Sequence, residues 1–171
     1  MNLEKYREQL PDTAKDIKLN LSTVLTKEGA PGLTDTQLWG TALSCAYQTQ
    51  NTNLIEAIEN EATAHLTPEH RAAAKSASTI MAMNNIYYRF LHLVEDKEIS
   101  QMPARLRMSV IGKPGIDKTE FELYCLAVSV MNGCGNCINA HISEIKKGGL
   151  TNESAQSAAR IASVINAAAH A

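Results

Sequence analysis

The sequence predicts an all-α fold, on three observations. Aromatic residues make up only 5% of an alanine-rich chain. No series of alternating apolar and polar residues is bounded by turns, as a strand would require. Helix-start and helix-stop signals punctuate most of the length. The 171 residues are 44% hydrophobic and 20% charged, enough apolar material for a sizeable core, so the expectation is a single domain over 1–171 or two similar halves sharing one core.

Each element follows from spacing and caps. After Pro11, Asp12 is read as the cap of a helix with Ala14, Ile17, Leu21 and Val24 on one face. Gly29, Pro31 and Gly32 mark Lys27 to Gly32 as a connection. Thr34 or Asp35 opens a second helix with Leu38, Ala42, Cys45 and Ala46 on its stripe; Asn51 to Asn53 interrupt it, and Leu54, Ile55, Ile58 and Ala62 carry the next. Leu66-Thr67-Pro68-Glu69 supplies a cap, a proline at the first helical position and an acid in the first turn, opening a long helix towards Tyr88 and Phe90. Residues 95–117 read as a linker, with Pro103 and Gly112-Lys113-Pro114-Gly115, ending in the capping-box pattern Asp117-Lys118-Thr119-Glu120. A helix from about Lys118 to Met131 follows, stopped by Asn132-Gly133; Cys134 begins another, closed by Gly148-Gly149.

Leu150-Thr151-Asn152-Glu153 and the alanine-rich helix after it repeat the theme of Leu66-Thr67-Pro68-Glu69 at an offset of 84 residues. The expectation is a duplicated helical unit: a scaffold repeat over about 12–95, a linker over about 96–117, and a second repeat over about 118–171 that carries the chemistry, because only it contains Cys-x-x-Cys.

With 16 Lys and Arg against 18 Asp and Glu, and no cationic run, the chain lacks the electrostatic footprint of a nucleic-acid binder. No apolar stretch reaches the roughly 18 residues a bilayer requires. The charged start Met1-Asn2-Leu3-Glu4-Lys5 is unlike a secretory signal, so a cytoplasmic setting is expected. In a reducing compartment Cys45, Cys125, Cys134 and Cys137 are read as buried hydrophobes, redox groups or metal ligands.

The informative stretch runs from Glu122 to His141. On a helix starting at Cys134, residues three and four apart share a face, which stacks Cys134, Cys137 and His141 in order. A Cys-x-x-Cys at a helix N-terminus closes a disulfide with little backbone movement, and the helix dipole with unpaired N–H groups stabilises a thiolate there. Thiol–disulfide exchange needs both properties, one thiol attacking and its neighbour resolving the mixed disulfide. Glu122 stands in an otherwise apolar helix, where a lone buried carboxylate is costly. A Glu122–His141–thiol proton relay would use it.

Blander readings stand beside these. Cys125, Cys134, Cys137 and His141 could supply four zinc ligands, or the cysteines could simply be buried. Cys45 reads as core. Glu122 could pair with Arg105 or Arg107, and His65, His70, His92 and His170 read as solvated. Asn84-Asn85-Ile86-Tyr87-Tyr88-Arg89-Phe90 reads as packing and surface, with its Asn and Tyr side chains able to reach the redox face.

Glu122, then Cys134-Gly-Asn-Cys137 twelve positions on, then His141, together with the Gly112-Lys113-Pro114-Gly115 linker and the Asn-Asn-x-Tyr-Tyr-Arg-Phe segment, resembles the AhpD family of the carboxymuconolactone decarboxylase-like superfamily over essentially the whole chain. The resemblance implies an all-α AhpD-like duplicated helical unit, assembled as a homotrimer. It implies an antioxidant disulfide reductant that passes electrons from dihydrolipoyl groups to a peroxiredoxin partner, AhpC, and has weak peroxidase activity of its own. The lipoyl groups belong to a lipoylated acyltransferase and are recharged by dihydrolipoamide dehydrogenase and NADH, with no tightly bound cofactor or metal. Carried over, Cys137 is the peroxide-reactive and partner-linked thiol, Cys134 its proton donor and disulfide mate, and Glu122 with His141 the relay activating Cys137. The helix dipole alone favours Cys134 as the more acidic thiol; a specific base at His141 argues for Cys137. Some members carry a histidine immediately before the second cysteine, where this chain has Asn136, which cannot titrate. Lactone decarboxylation, as in the other arm of the superfamily, and a zinc-stabilised non-enzymatic helical module are the alternatives.

Overall fold

The computed structural model describes residues 1–171 as ten α-helices with no strand. Helix α1 (Leu3–Gln9) was not singled out by the sequence, being short and mostly charged; Asn2 caps it and the Tyr6 hydroxyl donates to the Ala168 carbonyl at 2.8 Å. Asp12 does not cap the next helix. Residues Asp12–Ala14 form a single 3-10 turn after Pro11, and α2 (Lys15–Val24) continues from it without a side-chain cap. The proline fixes an extended entry that a tight turn completes before the helix starts.

The other starts agree with their caps. Helix α3 (Asp35–Thr49) opens with a reciprocal Thr34–Gln37 capping box, α4 (Thr52–Ala62) with Asn51, and α5 (Pro68–Leu93) with Thr67. The linker is not structureless: it folds α6 (Lys97–Gln101), capped by Asp96, and α7 (Ser109–Gly112). Neither is long enough to show a periodic stripe. Helices α8 (Lys118–Asn132), α9 (Gly135–Lys147) and α10 (Asn152–His170) complete the chain.

Two helix triplets, α3–α4–α5 and α8–α9–α10, share local design. Helices α3 and α8 each have 15 residues and each ends on a left-handed residue, Gln50 (φ 59°) or Gly133 (φ 66°). The next residue, Asn51 or Cys134, then caps the following helix by accepting from the N–H three positions on. Cys134 thus puts a sulfur where the first triplet puts an ordinary capping amide.

Helix α8 is the central element, packed against α3, α5, α9 and α10. Its residues Phe121 to Ser129 are all buried, which explains why its sequence is apolar all round. The approach of α3 to α8 depends on Gly40, since a Cβ there would lie within 2.0 Å of the Tyr124 hydroxyl oxygen and would meet the ring itself. This packing fixes the end of α8, and so the turn that presents the cysteines.

Candidate active site

The left-handed turn at Gly133 reverses the chain out of α8, and the Cys134 N–H donates to the Ser129 carbonyl at 3.2 Å. Cys134 becomes the N-cap of α9: its Sγ accepts from the Cys137 N–H at 3.4 Å and is bonded to Cys137 as a disulfide, with Cα atoms 5.3 Å apart. Cys134 is 0% exposed and Cys137 7% exposed. Of the two, Cys137 alone has any exposure, while Cys134 sits at the α9 N-terminus, whose dipole and unpaired N–H groups favour a thiolate.

One turn on, His141 faces Glu122 across the α8–α9 contact, with Nδ1 and Oε2 2.6 Å apart and both side chains buried. The carboxylate accepts, so Nδ1 carries the proton and Nε2 is left as a base. That nitrogen lies 3.3 Å from the Met81 Sδ, a thioether with no proton to give, which can accept a weak hydrogen bond only once Nε2 is protonated. Arg107 turns its Nε to the Ser109 Oγ, and Arg105 is exposed in the α6–α7 connection. Neither is the partner of Glu122.

A chain of polar contacts ties this site to the scaffold. Ser78 donates to Gln48, Gln48 to Asn132, Asn132 to Asn85, and Asn85 to Ser129, with N–O or O–O distances of 2.9–3.2 Å. The Ser129 hydroxyl is 3.5 Å from the Met81 Sδ, and Arg89 donates to the Asn132 carbonyl. Helices α3 and α5 thereby clamp the last turn of α8 just before the Gly133-Cys134 reversal. Such buried networks fix one geometry when their members are paired.

Cys137 and His141 open onto a largely apolar cavity of 220 Å³, whose other walls are Met81, Asn84 and Tyr88 of α5, Met108 and Ile111 from the segment before α8, and Asn136 and Ala140 of α9. The linker, expected only to connect the halves, therefore walls the site. Cys45 and Cys125 are free and buried elsewhere in the core. Burial pushes the Cys45 thiol up to about 12 and raises Cys125 well above the usual thiol range, the Glu122 charge adding to the latter. No three His, Cys, Asp or Glu side chains converge as a metal site, so Cys125 does not complete a zinc set with Cys134, Cys137 and His141. His65, His92 and His170 are exposed, His65 stacking on Trp39, whereas His70 is partly buried against Glu120 at 3.1 Å.

The model of the carboxymuconolactone decarboxylase family matches residues 97–171, which carry all four site residues. Over nearly the whole length, the chain is similar to proteins described as alkyl hydroperoxide reductase AhpD. The protein of Coxiella burnetii is 52% identical over 96% of this chain and 93% of its own. Those of Azorhizobium caulinodans and Methylocella silvestris are 49% and 47% identical over 99% of this chain and 92% and 93% of theirs. The chain belongs to the AhpD family. With it the AhpD family brings membership of the carboxymuconolactone decarboxylase-like superfamily, agreeing with the all-α architecture. The Met81, Met108 and Ile111 walls of this AhpD-family site were not foreseen. Met81, Asn84 and Tyr88 lie three and four residues apart on one helix face, and that stripe was the available signal.

Proposed function

We propose that this protein is an antioxidant thiol–disulfide oxidoreductase that passes electrons from dihydrolipoyl groups to a peroxiredoxin of the AhpC kind, with a weaker alkyl hydroperoxide reductase activity of its own. The observation carrying this reading is the capped Cys134–Cys137 disulfide, with only Cys137 at the cavity wall and the Glu122–His141 pair one turn away. The names of the relatives support the antioxidant role.

In the reductive half-reaction a dihydrolipoyl thiolate attacks the Cys137 sulfur and Cys134 leaves as a thiolate stabilised by the α9 N-terminus. The second lipoyl thiol attacks the mixed disulfide, releasing oxidised lipoyl and Cys137. In the oxidative half-reaction the Cys137 thiolate, its proton taken by His141, attacks the peroxiredoxin disulfide. Cys134 then attacks Cys137, restoring the starting disulfide and freeing both peroxiredoxin thiols. Glu122 orients His141 and stabilises the positive charge the ring gains, the role of the third member in a nucleophile–base–acid triad. No resident cofactor is required. The donors would be a lipoylated acyltransferase recharged by dihydrolipoamide dehydrogenase and NADH, in the cytoplasm; no helix is long and apolar enough to cross a membrane.

Self-association as a homotrimer is part of the proposal. Ile86, Phe90 and Leu93, three and four residues apart, form an exposed apolar stripe on α5, at 64%, 48% and 69% exposure. Contiguous apolar surface of this kind marks a protein interface. The test of function is NADH oxidation with dihydrolipoamide dehydrogenase, lipoamide, an AhpC-type peroxiredoxin and peroxide. Dependence on both Cys134 and Cys137 is expected, and turnover that survives Cys137→Ser would refute the reading.

A further inference from the structure

Asn84 is 4% exposed, lines the cavity shared by Cys137 and His141, and leaves its Oδ1 buried without a hydrogen-bond partner. Its neighbour Asn85 is the contrast: the Asn85 amide donates to Ser129 and accepts from Asn132. A buried amide oxygen left unpaired is destabilising, and native proteins seldom keep one without a use. Around it the cavity is mostly apolar, with Met81, Met108 and Ile111 in its walls. No hydrogen bond holds the Asn84 amide, so its oxygen can turn to the mostly apolar cavity beside the more exposed of the two redox cysteines.

That combination selects among the reactants of the proposed chemistry. A dithiol or a disulfide offers only weak hydrogen-bonding groups. An alkyl hydroperoxide has an apolar body and a strong O–H donor on the oxygen that a thiolate attacks. We propose that Asn84 is the hydroperoxide-binding residue: its Oδ1 accepts from the O–H of the bound peroxide, orienting the distal oxygen towards Cys137, while the alkyl group lies against Met81, Met108 and Ile111. His141 takes the Cys137 proton, the thiolate attacks the distal oxygen, the O–O bond breaks, and the departing alkoxide receives the proton from His141. The peroxide is reduced to an alcohol and Cys137 is oxidised to a sulfenic acid. The Cys134 thiol then displaces water from that sulfenic acid and re-forms the disulfide.

This inference rests on the oxidoreductase reading and separates its two half-reactions. Reduced protein is mixed with cumene hydroperoxide and the loss of thiols is timed; oxidised protein is mixed with dihydrolipoamide and their appearance is timed. Asn84→Ala is expected to slow the peroxide step by about tenfold or more, the loss of one hydrogen bond in a mostly apolar site, and to leave the dithiol step within about twofold. Asn84→Ser, should Asn84→Ala fail to fold, is read by the same ratio of rates. An unchanged peroxide rate, or an equal fall in both rates, overturns the assignment. Wild-type protein whose Cys137 is inert to peroxide but reducible by dihydrolipoamide sinks the inference alone; inertness in both arms sinks the oxidoreductase reading with it.

Discussion

Glu122→Gln isolates the charge behind His141. The substitution keeps shape and an oxygen that can accept from Nδ1, now 2.6 Å from Glu122 Oε2, but removes the negative charge facing the ring, which in the proposed relay becomes positive on taking the Cys137 proton. Hydrogen bonds to charged groups contribute about 1.5–3 kcal/mol against about 1 for neutral ones. With Glu122 only 3% exposed, solvent cannot restore the difference. The variant should therefore attack disulfides about 3- to 30-fold more slowly at pH 7, since 1.4 kcal/mol is about tenfold. The deficit should narrow above about pH 8.5, where a thiol ionises without help. The assay is the rate at which reduced protein, made with a chemical reductant, is oxidised by peroxiredoxin disulfide between pH 6 and 10. Equal rates for Glu122→Gln and wild type at pH 7, or a deficit that does not vary with pH in a folded variant, would refute the relay.

Other consequences are accessible to simple assays. With burial holding its thiol at about 12, Cys45 is about one part in ten thousand thiolate at pH 8; iodoacetamide on folded, reduced protein should label Cys137 before Cys45 or Cys125 by peptide mass spectrometry, and Cys45→Ser should keep its activity. Gly40→Ala drives a methyl group into the Tyr124 ring and should cost about 1–3 kcal/mol, seen as a lower thermal midpoint; an unshifted midpoint would show that α3 and α8 separate freely. Phe90→Glu with Leu93→Glu should dissociate the proposed trimer in light scattering while leaving helical circular dichroism intact, and a monomeric wild type would contradict that assembly.

What the sequence made legible followed local rules. Thr34, Thr67, Asp117 and Thr151 each announce a helix because a capping oxygen within one turn of its target is a short-range device. The stacking of Cys134, Cys137 and His141 was readable for the same reason, as all lie on α9 or its cap. Asp12 misled because a 3-10 turn intervenes before α2, and α6 and α7 are too short to carry a period. The contact of His141 with Glu122 required two helices to meet, and with Met81 a third, 60 residues away. Only the chemical oddity of a carboxylate in an apolar helix hinted at the first, and nothing local distinguished Met81 from an ordinary core methionine. Asn84 lies between these cases: its segment was suspected of reaching the redox face, but its unpaired oxygen emerges only once the surrounding helices are packed.

The central claim is that Cys137 is the thiol that meets its partners and Cys134 the one that resolves. Its most direct test is covalent trapping: Cys134→Ser and Cys137→Ser proteins are mixed in turn with oxidised peroxiredoxin and the adducts mapped by non-reducing electrophoresis and mass spectrometry. A mixed disulfide through Cys137 in Cys134→Ser, with none in Cys137→Ser, is the result the structure predicts. An adduct through Cys134 in Cys137→Ser, with none in Cys134→Ser, would contradict it.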